Sequence, residues 1–144
     1  MAHTFDVGVR WKEELRGEIG ASSVPGSSIP FAVPKEFGGP GDAWSPEHLL
    51  ASAVGSCVLA TFLSIARASK LEIRGYDSAA STTMDKVEGA FRITAVALDV
   101  RVTVASEKDR ERAARMLEKA EKMCPISNSL KTGVTVKTSI EVAA

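Results

Sequence analysis

Cysteine is scarce in this chain. Among 144 residues there are two, Cys57 and Cys124, too few for a disulfide scaffold or a four-thiolate metal site. Histidine is equally scarce: His3 and His48 are the only two, and neither has a ligand partner at metal-binding spacing. Neither sign of charge is in excess, since 18 basic side chains balance 18 acidic ones. No strong field therefore draws the chain to nucleic acid or to an anionic membrane. The opening MAHTFDVGVRW lacks the basic start, apolar run and small-residue cleavage site of a signal peptide, so a cytoplasmic location is expected. No Walker loop or dinucleotide fingerprint is present, because Gly38-Gly39-Pro40-Gly41 lacks the lysine and the strand–turn–helix setting. The G-x-S-x-G signature of a serine hydrolase is missing as well. The longest apolar run, Leu49 to Ala68, is interrupted by Ser52, Ser56, Thr61, Ser64 and Arg67, and reads as a buried helix rather than a membrane span. What survives these exclusions is two thiols, the right number for one redox couple. In a reducing cytoplasm a disulfide between them would be transient and catalytic.

The remaining composition is that of a globular protein, 44% hydrophobic and 25% charged. Residues 1–144 are expected to form a single domain with a real core. Alternation predicts strands over Phe5–Trp11 and Gly17–Ser23, joined as a hairpin. Val24 to Trp44 is marked by glycine and proline and is mostly loop, with one short strand near Ile29–Val33. Ser45 as N-cap and Pro46 at the first helical position open a helix running to about Ser69. Leu50, Val54, Cys57 or Val58, Thr61 and Ile65 recur along it at helical steps, and small residues cover its other faces. Such a helix is buried nearly all round, partly by a sheet and partly by a second subunit. Strands follow over Ile73–Met84, Gly89–Val104 and Val134–Val142, with a phase change near Ala95–Val96 that marks a bulge or a bend. Ser106 and Asp109 form a capping-box-like start to an amphipathic helix over Glu107–Met123, which Pro125 ends or kinks. The order predicts an α+β fold of antiparallel sheets with a long central buried helix and a second amphipathic helix.

A cysteine inside an apolar helix is more often a small core residue than a nucleophile. Cys124, at a helix end beside a proline, sits where backbone geometry breaks. The pair is too widely spaced for a local Cys-x-x-Cys couple, so any disulfide between them needs a long-range contact. A reactive thiol must be ionised, and Cys57 lies too deep in its helix to benefit from the N-terminal dipole. It needs a cation, and Arg16 and Lys35 are the candidates. Glu47, in the first helical turn, complements the dipole. It precedes Cys57 by about 15 Å along a straight helix, so both serve one site only if that site is shared between subunits.

Two blocks carry a resemblance: PKEFGGPGDAWSPEHLLASAVGSC, from Pro34 to Cys57, and CPISNSLKTGVTV, from Cys124 to Val136. The chain resembles the OsmC/Ohr family of osmotically inducible and organic hydroperoxide resistance proteins, over nearly its whole length. Its Cys-Pro followed by Ser-Asn is similar to the hydroperoxide resistance branch. The resemblance implies an intertwined homodimer with an intersubunit active site, acting as a cysteine-based peroxidase on alkyl and fatty-acid hydroperoxides. Cys57 would be the peroxidatic cysteine that becomes a sulfenic acid, and Cys124 the resolving cysteine that closes a disulfide with it. No bound cofactor is implied. The implied reductant is a dithiol such as dihydrolipoamide, carried on a lipoylated protein. Glu47 matches the glutamate that holds the activating arginine. Arg16 matches that arginine by its spacing from the Pro34 block, although Leu15-Arg16-Gly17 departs from the branch's Gly-Arg-x-Gly turn. The osmotically inducible branch instead places an arginine in the loop where this chain has Lys35-Glu36-Phe37. The alternative is a non-catalytic dimer of the same fold that binds a hydrophobic ligand or senses redox state. A raised Cys57 pKa and no disulfide to Cys124 would favour it.

Overall fold

Short alternating stretches broken by glycine and proline lie early in the chain, and long periodic stretches come later. The computed structural model describes residues Met1–Ala144. Met1–Leu49 and Leu50–Ala144 each form a compact unit.

In the first unit, β1 (Gly8–Glu13), β2 (Arg16–Gly20) and β3 (Ile29–Ala32) make an antiparallel meander with β2 in the middle. The turn between β1 and β2 places Glu14 at a φ of 41°. The Trp11 indole N–H fastens it by donating to the Glu14 carbonyl at 3.0 Å. Val9 and Trp11 share one exposed face of β1, and Phe5 and Val7 ahead of it are exposed too. After β3 the predicted loop is tied at both ends. The Val33 amide donates to the Leu15 carbonyl at 3.0 Å, and the Ala32 amide donates to the Trp44 carbonyl at 2.8 Å. Between these ties Lys35–Phe37 makes one 3-10 turn, stopped by Gly38 at a φ of 86°. Gly39 then passes so close to β3's exit that a Cβ would lie 1.5 Å from the Val33 carbonyl oxygen. Only glycine fits there.

In the second unit, β4 (Ile73–Val87) and β5 (Ala90–Val104) form a long antiparallel hairpin. Its two-residue loop, Glu88-Gly89, has φ of 50° and 82°, the mirror-image turn that matches strand twist. The predicted phase change in β5 is a bulge at Thr94: Thr83 pairs with Ala95 while Met84 pairs with Ile93. Beyond the bulge Val96, Leu98, Val100, Val102 and Val104 all face the core. The crossover back to the sheet contains α2 (Arg110–Met123) and α3 (Pro125–Asn128), and β6 (Val134–Val142) then lies parallel to β5. Periodicity predicted β6 residue for residue. It had no power over which neighbour β6 would take. The predicted helix start at Glu107 is a 3-10 turn over Glu107–Asp109. Ser106 does not cap it through a backbone amide; its hydroxyl donates to Asp109 Oδ2 at 3.1 Å.

The long helix α1 (Pro46–Ala68) begins in the first unit and runs on through the second. Its stripe of Ala51, Val54, Gly55, Val58, Phe62 and Ala66 is buried. From Val54 onward the apolar members share one core with the β5 valines and with Ala113, Leu117 and Ala120 of α2. Phe62 meets the Tyr76 ring at 5.8 Å. Opposite this stripe Ser56, Ala60, Leu63, Ser64 and Arg67 are exposed. Burial nearly all round was expected; within one chain a single sheet covers a single side. The helix is also apolar and long enough to cross a membrane by length and composition. Two of its interrupting hydroxyls bond back to the helix backbone, Thr61 donating to the Cys57 carbonyl at 2.8 Å and Ser64 to the Ala60 carbonyl at 3.0 Å, so they weaken its apolar character little. It ends in a Schellman cap, with Lys70 left-handed at a φ of 53° and the Leu71 amide donating to the Ala66 carbonyl at 2.9 Å. Arg112 donates to the freed Ser69 carbonyl.

Phe62 is fully buried, so Phe62→Ala removes both its transfer free energy and its packing. Chemical denaturation should show a loss of about 3–5 kcal/mol.

Candidate active site

The two thiols meet in the second unit. Cys57 faces the core from α1, half-buried, and Cys124 ends α2 with no exposure at all. Pro125 has no N–H with which to extend the α2 ladder. The chain therefore turns at Cys124, where φ is −64° and ψ is 111°, and starts α3. The turn leaves the Cys124 sulfur in the core, in hydrogen-bond contact with that of Cys57. Both thiols are free.

Their surroundings differ in sign. Burial pushes the Cys57 thiol up, and Cys124 beside it pushes the same way; the Ile126 amide and Thr61 hydroxyl oppose this without overcoming it. None of these groups is a cation. Burial works against ionisation of Cys124 too, but there it is outweighed by the Ser127 hydroxyl, the Cys57 thiol and the Ser127 and Ile126 amides. Cys124 therefore lies below the ordinary thiol range. The Ser127 hydroxyl stands 3.3 Å and its amide 3.5 Å from the Cys124 sulfur.

The predicted cations lie in the first unit. Arg16 opens β2 and donates through Nη2 to Asp42, 3.0 Å from each carboxylate oxygen. The Asp42 hydrogen bond, with the charges of Asp42, Glu13 and Glu14, raises the guanidinium's pKa further, and Arg16 holds the Asp42 carboxyl below its usual range. Lys35 sits in the 3-10 turn, and a Cβ added to Gly41 would stand 3.4 Å from its stem. Gly41, Asp42, Ala43, Trp44 and His48 line an open hollow of about 470 Å³. Trp44 and His48 meet edge to face in its wall, with ring centres 6.4 Å apart.

The start of α1 is held by a reciprocal cap. Ser45 Oγ accepts from the His48 amide at 3.4 Å, and the Ser45 amide donates to His48 Nδ1 at 3.1 Å. Histidine thus takes the place that glutamate or glutamine holds in a capping box. Glu47 lies in the first turn of α1, and the helix continues unbroken past Cys57, which keeps the two about 15 Å apart along its axis. The structure thus brings Cys57 and Cys124 together, pairs Arg16 with Asp42, and leaves Glu47 and Cys57 separated on one helix. No group of three or more His, Cys, Asp or Glu side chains is arranged to hold a metal ion.

The contacts of three of these residues, Asp42, Ser127 and His48, were not read from the sequence. Asp42 reads there as one more polar residue of a glycine–proline turn, and its partner is remote in the chain. The contacts of Ser127 and His48 are local. Each stands three residues after a capping residue, and that spacing was the available signal.

Residues 39–139 match the family model described as OsmC-like protein. The chain belongs to the OsmC-like family. Among its relatives is an organic hydroperoxide resistance protein-like 2 of Staphylococcus saprophyticus, 33% identical over 115 residues, which are 78% of each chain. Another is the uncharacterized protein YmaD of Bacillus subtilis, 24% identical over 97% of this chain and 95% of that one. The solved structure of an OsmC-like protein of unknown function from Vibrio cholerae superposes with a TM-score of 0.85 at 21% identity, covering 96% of this chain and 100% of that one. The fold is OsmC-like, and the family membership together with the contacting thiols supports a redox role.

Ser45 is almost fully buried, so water does not readily replace its cap. Ser45→Ala should cost about 1 kcal/mol in denaturant unfolding.

Proposed function

We propose that this protein is a thiol-dependent peroxidase that reduces organic hydroperoxides to alcohols, of the organic hydroperoxide resistance branch. The observation that carries the reading is the contact between the Cys57 and Cys124 sulfurs, made by residues far apart in the chain. The Cys57 thiolate attacks the distal oxygen of the hydroperoxide. The O–O bond breaks, the alkoxide leaves and is protonated to the alcohol, and Cys57 becomes a sulfenic acid. Cys124, already ionisable, attacks the Cys57 sulfur and expels hydroxide, which is protonated to water. A disulfide results. A dithiol such as dihydrolipoamide, presented by a lipoylated protein, returns the enzyme to its reduced form.

Cys57 is raised where it stands, so the cycle needs a cation to ionise it. We assign that role to Arg16, aimed by Asp42, rather than to Lys35, and give Glu47 a part in holding the guanidinium. Glu47 is too far along its own helix to serve Cys57, which favours an active site shared in an intertwined homodimer. The exposed Leu63 side of α1 and the exposed Phe5, Val7, Val9 and Trp11 are apolar surfaces that a second copy would cover. Trp44 and its hollow suit a greasy substrate. Residues 1–144 act as a single OsmC/Ohr-like domain in this reading, in the cytoplasm.

The raised Cys57 thiol favours a second reading, a non-catalytic dimer that binds a hydrophobic ligand or senses redox state. One experiment separates the two. Reduced protein receives one equivalent of cumene hydroperoxide, alongside Cys57→Ser and Cys124→Ser. The peroxidase loses both thiols rapidly to an intramolecular disulfide, Cys57→Ser is inert, and Cys124→Ser traps a sulfenic acid. Survival of both thiols in the native protein would sink the peroxidase reading and leave the second.

Arg16→Ala should lower kcat/KM at neutral pH by about ten- to a hundredfold. The deficit should shrink as pH rises, because a thiol with a raised pKa gains thiolate only toward alkaline pH. A pH–rate profile that is lower by the same factor at every pH would remove Arg16 from this role.

A further inference from the structure

We propose that Ser127 is a positioning residue that holds Cys124 as the leaving thiolate when the disulfide is reduced, a role that rests on the peroxidase reading. Cys124 is the N-cap of α3, and its sulfur accepts from the residue three further on. Pro125 has no N–H to give, so the donors nearest this sulfur are the Ile126 and Ser127 amides and the Ser127 hydroxyl. Ser127 alone supplies two of them, at 3.5 Å and 3.3 Å. Cys57 is the titratable side chain that acts on this sulfur beside them.

The two sulfurs are unequally accessible. Cys124 is fully buried and Cys57 is partly exposed, so an external thiolate attacks Cys57. In that step a bond forms between the reductant sulfur and Cys57 Sγ, and the Cys57–Cys124 bond breaks. Its electron pair goes to Cys124 Sγ. The second thiol of the dithiol, giving up its proton, then attacks the reductant sulfur of the mixed disulfide. It releases Cys57 as a thiolate and the reductant as a cyclic disulfide. Both enzyme sulfurs are reprotonated, so one disulfide is reduced and one dithiol oxidised. The rate of the first attack rises as the leaving thiol becomes more acidic. In a buried site the charge on Cys124 has no water to solvate it, and the Ser127 donors take water's place.

The first oxidative step, attack of Cys57 on the hydroperoxide, does not use the Cys124 thiolate, whereas resolution and disulfide reduction both do. Ser127 therefore separates the peroxide step from the disulfide steps. The test forms the disulfide with diamide, which requires no peroxidase activity, and follows its reduction by dihydrolipoamide in a stopped-flow instrument. Ser127→Ala should slow that reduction by about three- to tenfold, while Ser127→Thr, which keeps the hydroxyl, stays near the native rate. In a Cys57→Ser background, thiolate absorbance at 240 nm should show Cys124 ionising at higher pH once Ser127 is alanine. Release of cumyl alcohol in the first turnover of the reduced Ser127→Ala protein, which reports the Cys57 step alone, should change less than the rate of disulfide reduction. Native reduction kinetics and an unchanged Cys124 titration in Ser127→Ala would overturn the proposal, as would equal slowing of cumyl alcohol release and disulfide reduction, which marks a merely structural residue. Loss of hydroperoxide reactivity in the native protein, with the diamide disulfide still sensitive to Ser127, would overturn the peroxidase reading and leave Ser127 as the group that sets disulfide reducibility.

Discussion

The second unit is organised by the packing of Val54, Val58 and Phe62 on the valine face of β5. Below the Thr94 bulge every second residue of that strand is buried, so α1 has one surface on which its apolar stripe fits. Gly55 shows how close the approach is: a Cβ there would stand 3.6 Å from Ala80 and 3.7 Å from Leu98. Fixing this stripe also fixes Cys57, which lies between Val54 and Val58 on the helix. The same core takes in Ala113, Leu117 and Ala120 of α2, and those contacts set where α2 ends. Cys124 meets Cys57 because two helices pack into one core.

Two identical side chains in contact acquire opposite tendencies from their neighbours. Cys57 has burial and a second sulfur against it, and only one amide and one hydroxyl in its favour. Cys124 suffers the same burial but holds the cap of α3, where Ser127 and Ile126 donate to it. Hydrogen bonds to the charged form outweigh desolvation at one sulfur and fail to do so at the other. A peroxidase with Cys57 as nucleophile requires this order to be altered by a positive charge. That is why the cation is the decisive partner in the proposed cycle, in which Cys124 resolves and leaves.

In the first unit, order comes from closing a loop. The bridge from Phe31 to Trp44 and the two amide hydrogen bonds beside it convert a glycine- and proline-rich segment into a tied structure. Gly39 is the point at which backbone passes backbone too closely for any side chain. The closed loop presents Asp42 to Arg16, and Trp44 to His48. Both Arg16 and Asp42 remain open to water, so their ion pair chiefly directs the guanidinium and contributes little to stability.

Much was legible in the sequence because it is local. Ser45 and Pro46 mark the start of α1, period-two alternation delimits β6, and the phase slip in β5 announces the Thr94 bulge. The Pro34–Cys57 and Cys124–Val136 blocks identified the family. What sequence could not decide is what depends on distance through space. The β5–β6 pairing is parallel because α2 carries the chain back across the sheet, and strand periodicity sets faces rather than neighbours. Within one chain the sheet covers one side of α1, the part of its expected burial that a sheet supplies. Asp42 becomes the partner of Arg16 only when the loop is tied, and the hydroxyl of Ser127 matters only once the turn at Pro125 has buried a sulfur beneath it. Residue type and spacing determined the elements and the two thiols; packing decided which groups surround each sulfur, and ionisation in a buried site depends on those groups.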